Sequence, residues 1–104
     1  MDVRELEETE VLSITLDQPH LYFETVVRTG AGSRYKLSAW NPAGAGLKAV
    51  FGAIHVQANR TDTAGRDTLG ELESASFVGD VLTLEGDFGD VVISGVTISI
   101  DELT

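Results

Sequence analysis

The chain has no cysteine, two histidines, two prolines and only seven Lys and Arg residues. Without cysteine it has no disulfides, no thiol nucleophile and no cysteine-ligated metal site. Charged residues and glycines interrupt every hydrophobic segment, so no run approaches the roughly 18 apolar residues that a membrane-spanning helix needs. The length of 104 residues predicts a single domain over 1–104 that can bury a core without covalent staples.

Acidic residues far outnumber basic residues in this chain. Seventeen Asp and Glu give a formal net charge of −10 at pH 7, which argues against general binding to nucleic acid or to an anionic membrane. The N-terminal sequence is acidic, whereas a secretory signal begins with basic residues and continues with an apolar stretch. We therefore expect a cytoplasmic protein. The sequence leaves open whether residues 1–9 form a flexible acidic segment.

Alternation of apolar and polar residues predicts strands in the first forty positions. Residues 10–17 alternate with Leu12 on the buried face, a pattern that is typical of a half-buried strand. Residues 20–28 and 34–40 alternate in the same way. Because a glycine-containing turn at 29–33 lies between them, they predict a β-hairpin.

The last third of the chain predicts further strands, since Gly-Asp turns recur about every ten residues between alternating segments. Residues 46–58 fit two patterns, because their apolar spacing allows a helix whereas Gly52 and several β-branched residues favour a strand. The predicted fold class is mainly β, a single antiparallel sandwich, barrel or rolled sheet of about 7 short strands. The alternative is an α+β fold with one helix at about 46–58 packed on an antiparallel sheet.

Sequence motifs for cofactor binding and catalysis are weak. Gly44–Ala49 matches the G-x-G-x-x-G/A form of a dinucleotide-binding turn. That motif needs a parallel sheet with alternating helices, whereas the rest of the chain alternates like antiparallel strands, so we expect no cofactor. His20 and His55 are far apart in the sequence, and no G-x-S-x-G nucleophile motif occurs. We therefore predict a non-enzymatic protein with no catalytic residue.

Acidic turns offer a candidate cation site. Asp87 and Asp90 flank Gly89 and would form a shallow site if Asp80 or Glu85 met them across a turn. Acidic turn residues more often keep a protein surface soluble. We therefore expect no metal site.

The net negative charge comes from the two ends of the sequence. Residues 1–19 contain six acids and one Arg, residues 20–60 one acid and five Lys or Arg, and residues 61–104 ten acids and one Arg. The three segments carry net charges of −5, +4 and −9, which sum to −10. A salt-adapted proteome would produce the same total, so the distribution is more informative than the sum.

The acidic C-terminal segment predicts a docking surface for a basic protein, because complementary charge raises association rates and suppresses wrong partners. Our leading hypothesis is a non-enzymatic protein-protein interaction domain. It would be an acidic inhibitor or immunity-type protein that blocks a basic partner such as a toxin or nuclease, with carboxylates taking the place of phosphates. The predicted partner-binding acids are Asp62, Asp67, Glu71, Glu73, Asp80, Glu85, Asp87 and Asp90.

A second predicted surface lies on the hairpin, where cationic and aromatic side chains share the face opposite the core. It would bind a protein or a second copy of the chain as a homodimer, and the alternative is a covered, structural face. Other functions left open are a structural or assembly subunit held by β-edge and hairpin contacts, and a ligand-binding barrel or enzyme with a cavity near His55, Tyr35 or Trp40. The predicted hairpin contacts are Tyr22, Arg28, Arg34, Lys36 and Trp40.

Overall fold

The computed structural model describes residues 2–17, 22–41, 50–51, 60–61 and 67–103. Within them, regular structure consists of one short 3-10 helix and ten strands. The helix η1 spans Val3–Leu6, and the strands are β1 (Thr9–Asp17), β2 (Tyr22–Arg28), β3 (Arg34–Trp40), β4 (Val50–Phe51), β5 (Arg60–Thr61), β6 (Asp67–Thr68), β7 (Gly70–Val78), β8 (Val81–Gly86), β9 (Gly89–Ser94) and β10 (Thr97–Leu103).

The mainly β prediction is confirmed. Eight strands form one antiparallel sheet in the order β10-β3-β2-β1-β7-β8-β9-β4, and β5 pairs with β6 separately. We call β10, β3, β2 and β1 the first half-sheet, and β7, β8, β9 and β4 the second half-sheet. The predicted hairpin of residues 20–28 and 34–40 appears as β2 and β3, with Arg28 directly opposite Arg34.

The connection between β9 and β10 shows that this sheet is rolled. Five strands separate β9 from β10 in the sheet, a distance of about 29 Å if the sheet were flat. The chain from Ser94 to Thr97 can span at most about 11 Å. The two half-sheets therefore curl toward each other, and a hydrogen bond from the Val96 N–H to the Asp80 carbonyl (3.2 Å) fixes the crossing.

Both half-sheets contribute to one hydrophobic core. Phe23 and Leu37 from the first half-sheet and Leu82 and Ile93 from the second are all 0% exposed and belong to the same buried cluster. Phe88, in the turn between β8 and β9, is buried in it as well. The inward faces of the rolled sheet thus form a single core, which leaves the outward faces for polar side chains.

The boundary between the half-sheets is formed by two β-bulges. The β1–β7 ladder joins Thr9–Val11 to Gly70–Leu72, and directly beyond it the register shifts in β1 between Val11 and Ser13 and in β7 between Leu72 and Ser74. A bulge bends its strand and increases the local twist. These two bulges let β1 and β7 diverge where the sheet turns its corner.

The bulge in β1 also corrects the predicted face. The sequence pattern places Leu12 toward the core, but Leu12 is the extra residue of the bulge, and its neighbour Val11 is the buried side chain at 1% exposure. Beyond the bulge, Ile14 and Leu16 pack against the core as expected. The prediction fails because Val11 and Leu12 are both apolar, so alternation alone does not choose between them.

Residues 2–9, most of the acidic segment that the sequence leaves open as flexible, lie among the described residues and include η1. Asp2 caps η1 in a capping box with Glu5, and Leu6 in the same helix is buried. The Glu7 carboxylate accepts the Ala75 backbone N–H at 2.9 Å. This contact satisfies a donor on the stretch of β7 that has diverged from β1, so η1 protects that edge.

The alternative helix at about 46–58 is wrong where the structure describes the chain. Val50 and Phe51 form β4 and pair with Ser94 and Ile93 of β9. A helix could not continue through these two residues while they pair in a sheet. The remainder of the segment, 46–49 and 52–58, lies outside the described residues.

Candidate functional site

Five of the eight predicted partner-binding acids are exposed on the second half-sheet. We call these carboxylates, Glu71, Glu73, Asp80, Glu85 and Asp90, the acidic surface. No ion pair or side-chain hydrogen bond among the described residues involves them. Asp67 is the first residue of β6, and Asp62 lies outside the described residues.

Two members of the acidic surface face each other directly. Glu85 of β8 and Asp90 of β9 are cross-strand partners, and both are exposed. Cross-strand side chains lie about 5 Å apart, and like charges in this position destabilise a sheet. Residues 67–96 contain seven acids and no Lys or Arg, so these strands supply no cation to offset the repulsion.

Asp87 differs from the acidic surface because it holds the fold together. Its Oδ2 accepts the Glu71 N–H at 3.0 Å, and its own N–H donates to the Glu71 carbonyl at 3.1 Å. A Cβ built on Gly70 would lie 2.4 Å from the Asp87 Cβ, so the turn between β8 and β9 sits tightly on the start of β7. The structure thus gives Asp87 an intramolecular role alongside the predicted partner contact.

The acidic surface is spread over the half-sheet and does not converge on a point. Asp80 directly precedes β8 and Glu85 lies near the C-terminal end of that strand. They are five residues apart, about 17 Å at the strand rise per residue. Asp80 therefore cannot join Asp87 and Asp90 in a cation site. Among the described residues no group of three or more Asp, Glu or His could hold a metal ion.

The predicted hairpin surface is divided by the structure into two ends of opposite character. Tyr22 and Trp40 are cross-strand partners at one end of the β2–β3 ladder, and Arg28 and Arg34 are partners at the other end. Tyr22 and Arg28 are six positions apart along β2, which corresponds to about 20 Å. The aromatic and cationic side chains therefore do not form one patch.

Acids from the neighbouring strands balance the cationic end. Arg28 forms a salt bridge with Glu10 of β1, in which both side chains are partly buried. Lys36 lies directly opposite Asp101 of β10. Arg28 and Lys36 thus face carboxylates supplied by β1 and β10, whereas the exposed Arg34 lies opposite Arg28 and Leu103.

The aromatic end carries a hydrogen-bond network that the sequence analysis does not identify. The Tyr22 hydroxyl donates to Glu24 Oε1 at 2.7 Å and lies 3.3 Å from Ser38 Oγ. Ser38 is 6% exposed although it lies on the outward face. Strand alternation places Tyr22, Glu24, Ser38 and Trp40 on that face, but only the hairpin register, with Glu24 opposite Ser38, brings the hydroxyls together.

Several further candidates fall outside the described residues. The glycine-rich segment Gly44–Ala49 and both histidines, His20 and His55, lie there, so the predictions made for them remain predictions. Tyr35, considered as a cavity residue, is partly buried and packs against the core. No helix in the described part of the chain has the length and apolar content to cross a membrane.

Comparisons of the chain with protein-family models, curated proteins and solved structures found no match.

Proposed function

We propose that this chain is a non-enzymatic cytoplasmic interaction domain whose acidic surface docks on a basic protein and blocks it. An inhibitor or immunity-type protein acting on a toxin or nuclease would work in this way. The observation that carries the proposal is the Glu85–Asp90 pair, two exposed like charges in direct cross-strand register with no ion-pair partner among the described residues.

The electrostatics of this surface favour a cationic partner. Placing like charges opposite each other lowers the stability of the free protein, and a partner's Arg or Lys side chains would relieve that repulsion on binding. Arg is especially suited, because its guanidinium pairs bidentately with carboxylates. A groove that binds nucleic-acid phosphates presents such cations, so an acidic surface can compete for it.

The test needs the partner as a purified protein. Candidates are obtained by pull-down from the native host or from the product of a neighbouring gene, and binding is then measured by calorimetry at about 50 and about 500 mM salt. We expect the charge-reversing double variant Glu85→Lys/Asp90→Lys to weaken binding at least about tenfold. The unaltered chain should also bind more weakly at the higher salt concentration.

The first half-sheet offers a matched control. Asp101 and Glu102 are exposed on β10, and reversing both changes the net charge by the same amount as the Glu85/Asp90 variant. If the Asp101→Lys/Glu102→Lys variant loses as much affinity, or if neither salt nor the Glu85/Asp90 variant matters, the acidic surface is not the docking site. Loss of the partner's activity upon binding distinguishes inhibition from mere association.

A second candidate function is a structural or assembly subunit. It is favoured by β10, which ends the described sheet and pairs on one side only, with β3. An edge strand can add a strand from another chain through main-chain hydrogen bonds. Light scattering separates the two candidates, since a large homo-oligomer supports assembly and a monomer that captures one basic protein supports inhibition.

A further inference from the structure

The outward face of the first half-sheet brings an aromatic pair next to a carboxylate. Tyr22 and Trp40 are directly opposite each other on β2 and β3, and both are partly exposed. Glu24 follows on the same face of β2, opposite Ser38. On the β1 side Thr15 is the neighbour of Glu24 and Asp17 is the neighbour of Tyr22. On the β10 side the neighbours are small, Ser99 beside Ser38 and Thr97 beside Trp40.

The hydroxyl groups fix the orientation of Glu24. A phenol has one proton to donate. The Glu24 carboxylate, 2.7 Å away, is a stronger acceptor than the Ser38 hydroxyl, so Tyr22 donates to Glu24 Oε1. The 3.3 Å contact then requires the Ser38 hydroxyl to donate to the Tyr22 oxygen. This chain of two hydrogen bonds holds one oxygen of Glu24 and leaves Oε2 available.

Glu24 has no ion-pair partner among the described residues. The cation on the same face that is nearest in register is Lys36, which lies opposite Val26 and therefore diagonal to Glu24. Arg28 is paired with Glu10 at the far end of the hairpin. A partly buried carboxylate beside two aromatic rings is thus held in place without a counter-charge from these strands.

We propose that Tyr22, Trp40 and Glu24 form a recognition site for the guanidinium group of an arginine side chain. The planar cation would stack on the indole face of Trp40 and donate to Glu24 Oε2, and Tyr22 would act as a positioning residue for that carboxylate. A sheet face with two aromatic side chains does not surround a ligand. It therefore favours a flat cation over a tetrahedral ammonium group, which needs an aromatic cage.

The site can be tested with a small probe, because Trp40 is the only tryptophan of the chain and its fluorescence reports binding directly. Titration with N-acetyl-arginine amide should give a saturable change with a Kd in about the millimolar range. The citrulline derivative has the same shape without the charge and should bind at least about tenfold more weakly. The lysine derivative should also bind more weakly, since it lacks the planar fork.

Variants separate local recognition from the effect of net charge. Glu24→Gln should weaken arginine binding about tenfold, whereas Glu85→Gln, which removes the same charge from the other half-sheet, should leave it unchanged. Tyr22→Phe keeps the ring and removes the hydroxyl, so it should weaken binding by about two- to fivefold. Amide NMR spectra confirm that each variant is folded and follow the titration independently of fluorescence.

The inference is overturned if arginine and citrulline probes bind equally, if Glu85→Gln is as damaging as Glu24→Gln, or if the probe shifts resonances elsewhere and not around Trp40. These outcomes are independent of the acidic surface. A chain that binds its basic partner through Glu85 and Asp90 but ignores the arginine probe would retain the proposed function and lose this site. The opposite result would retain the site and remove the proposed docking surface.

Discussion

Both half-sheets are antiparallel and bury one face in the same core, but their outward faces accommodate negative charge differently. In the first half-sheet, Glu10 pairs with Arg28 and Glu24 accepts the Tyr22 hydroxyl. In the second, Glu85 and Asp90 face each other, and residues 67–96 supply no Lys or Arg. Glu10 and Glu24 thus have side-chain partners on one surface, an ion pair and a hydrogen bond, whereas Glu85 and Asp90 have none among the described residues of the other.

This difference shows that net charge by sequence segment is a poor guide to surface potential. Residues 20–60 carry +4, yet the hairpin they contain receives carboxylates from β1 and β10, which come from the two acidic ends of the chain. Pairing of distant strands mixes segments of opposite sign in the first half-sheet. In the second half-sheet, β7, β8 and β9 all come from the acidic segment 61–104, and β4 adds only the uncharged Val50 and Phe51, so the negative charge is not offset.

The largest expected effect tests whether the two half-sheets share one core. Phe23 in β2 and Phe88 beside β9 are both fully buried, so Phe23→Ala and Phe88→Ala should each lower the free energy of unfolding by about 3–5 kcal/mol. Denaturant titrations are followed by circular dichroism and by Trp40 fluorescence. Phe88→Ala should shift both signals together, although Trp40 lies in the first half-sheet. A Trp40 transition that stays in place while the circular dichroism transition moves would contradict a shared core.

A smaller loss is expected at the junction of β8 with β7. A Cβ on Gly86 would lie 2.2 Å from the Glu71 carbonyl oxygen and 2.8 Å from Cε1 of Phe88, so Gly86→Ala should destabilise the protein by about 1–3 kcal/mol. Gly30, in the β2–β3 turn, has nothing within 4 Å of such a Cβ. Gly30→Ala is therefore the control and should change stability by less than about 1 kcal/mol. Equal losses at both positions would show that the contact at Gly86 is relieved without cost.

The hairpin illustrates what the sequence could predict. Alternation in 20–28 and 34–40 identified both strands and the buried faces of Phe23 and Leu37, because each of these two residues is apolar and lies between more polar neighbours. The short turn also favoured direct pairing. The pairing of β2 with β3 is local in sequence and could therefore be predicted from the sequence alone.

Long-range pairing could not be predicted in the same way. Nothing in the sequence near Lys36 indicates that Asp101 lies opposite it, and the hydrogen bonds between Asp87 and Glu71 depend on how a turn docks on another strand. One signal was present and missed: Asp2 and Glu5 have the spacing of a capping box, which predicts a helical turn in the N-terminal segment. The bulge at Leu12 had no sequence signal, since either of two apolar neighbours could face the core.

Removing a paired acid from the first half-sheet should destabilise the protein. Glu10→Gln keeps the shape of the side chain but breaks the salt bridge with Arg28, whose side chain is 16% exposed, so we expect a loss of about 0.5–1 kcal/mol. Glu102→Gln is the matched control, because Glu102 is exposed and has no ion pair among the described residues. Stability measured by urea unfolding should be nearly unchanged in that control. An equal loss in both variants would show that the Glu10–Arg28 salt bridge does not stabilise the first half-sheet.

Removing an unpaired acid from the second half-sheet should have the opposite sign and the smallest size. Glu85→Gln keeps the side-chain shape and ends the repulsion with Asp90, so it should stabilise the protein by about 0.2–0.5 kcal/mol at low salt. At about 0.5 M salt the gain should largely disappear, because exposed charges are screened over a few ångströms. A gain that persists in high salt would have another cause, such as better packing, and a loss would mean that a cation compensates Glu85. The sign of this small change, set against that of Glu10→Gln, therefore decides whether the two surfaces differ as their contacts indicate.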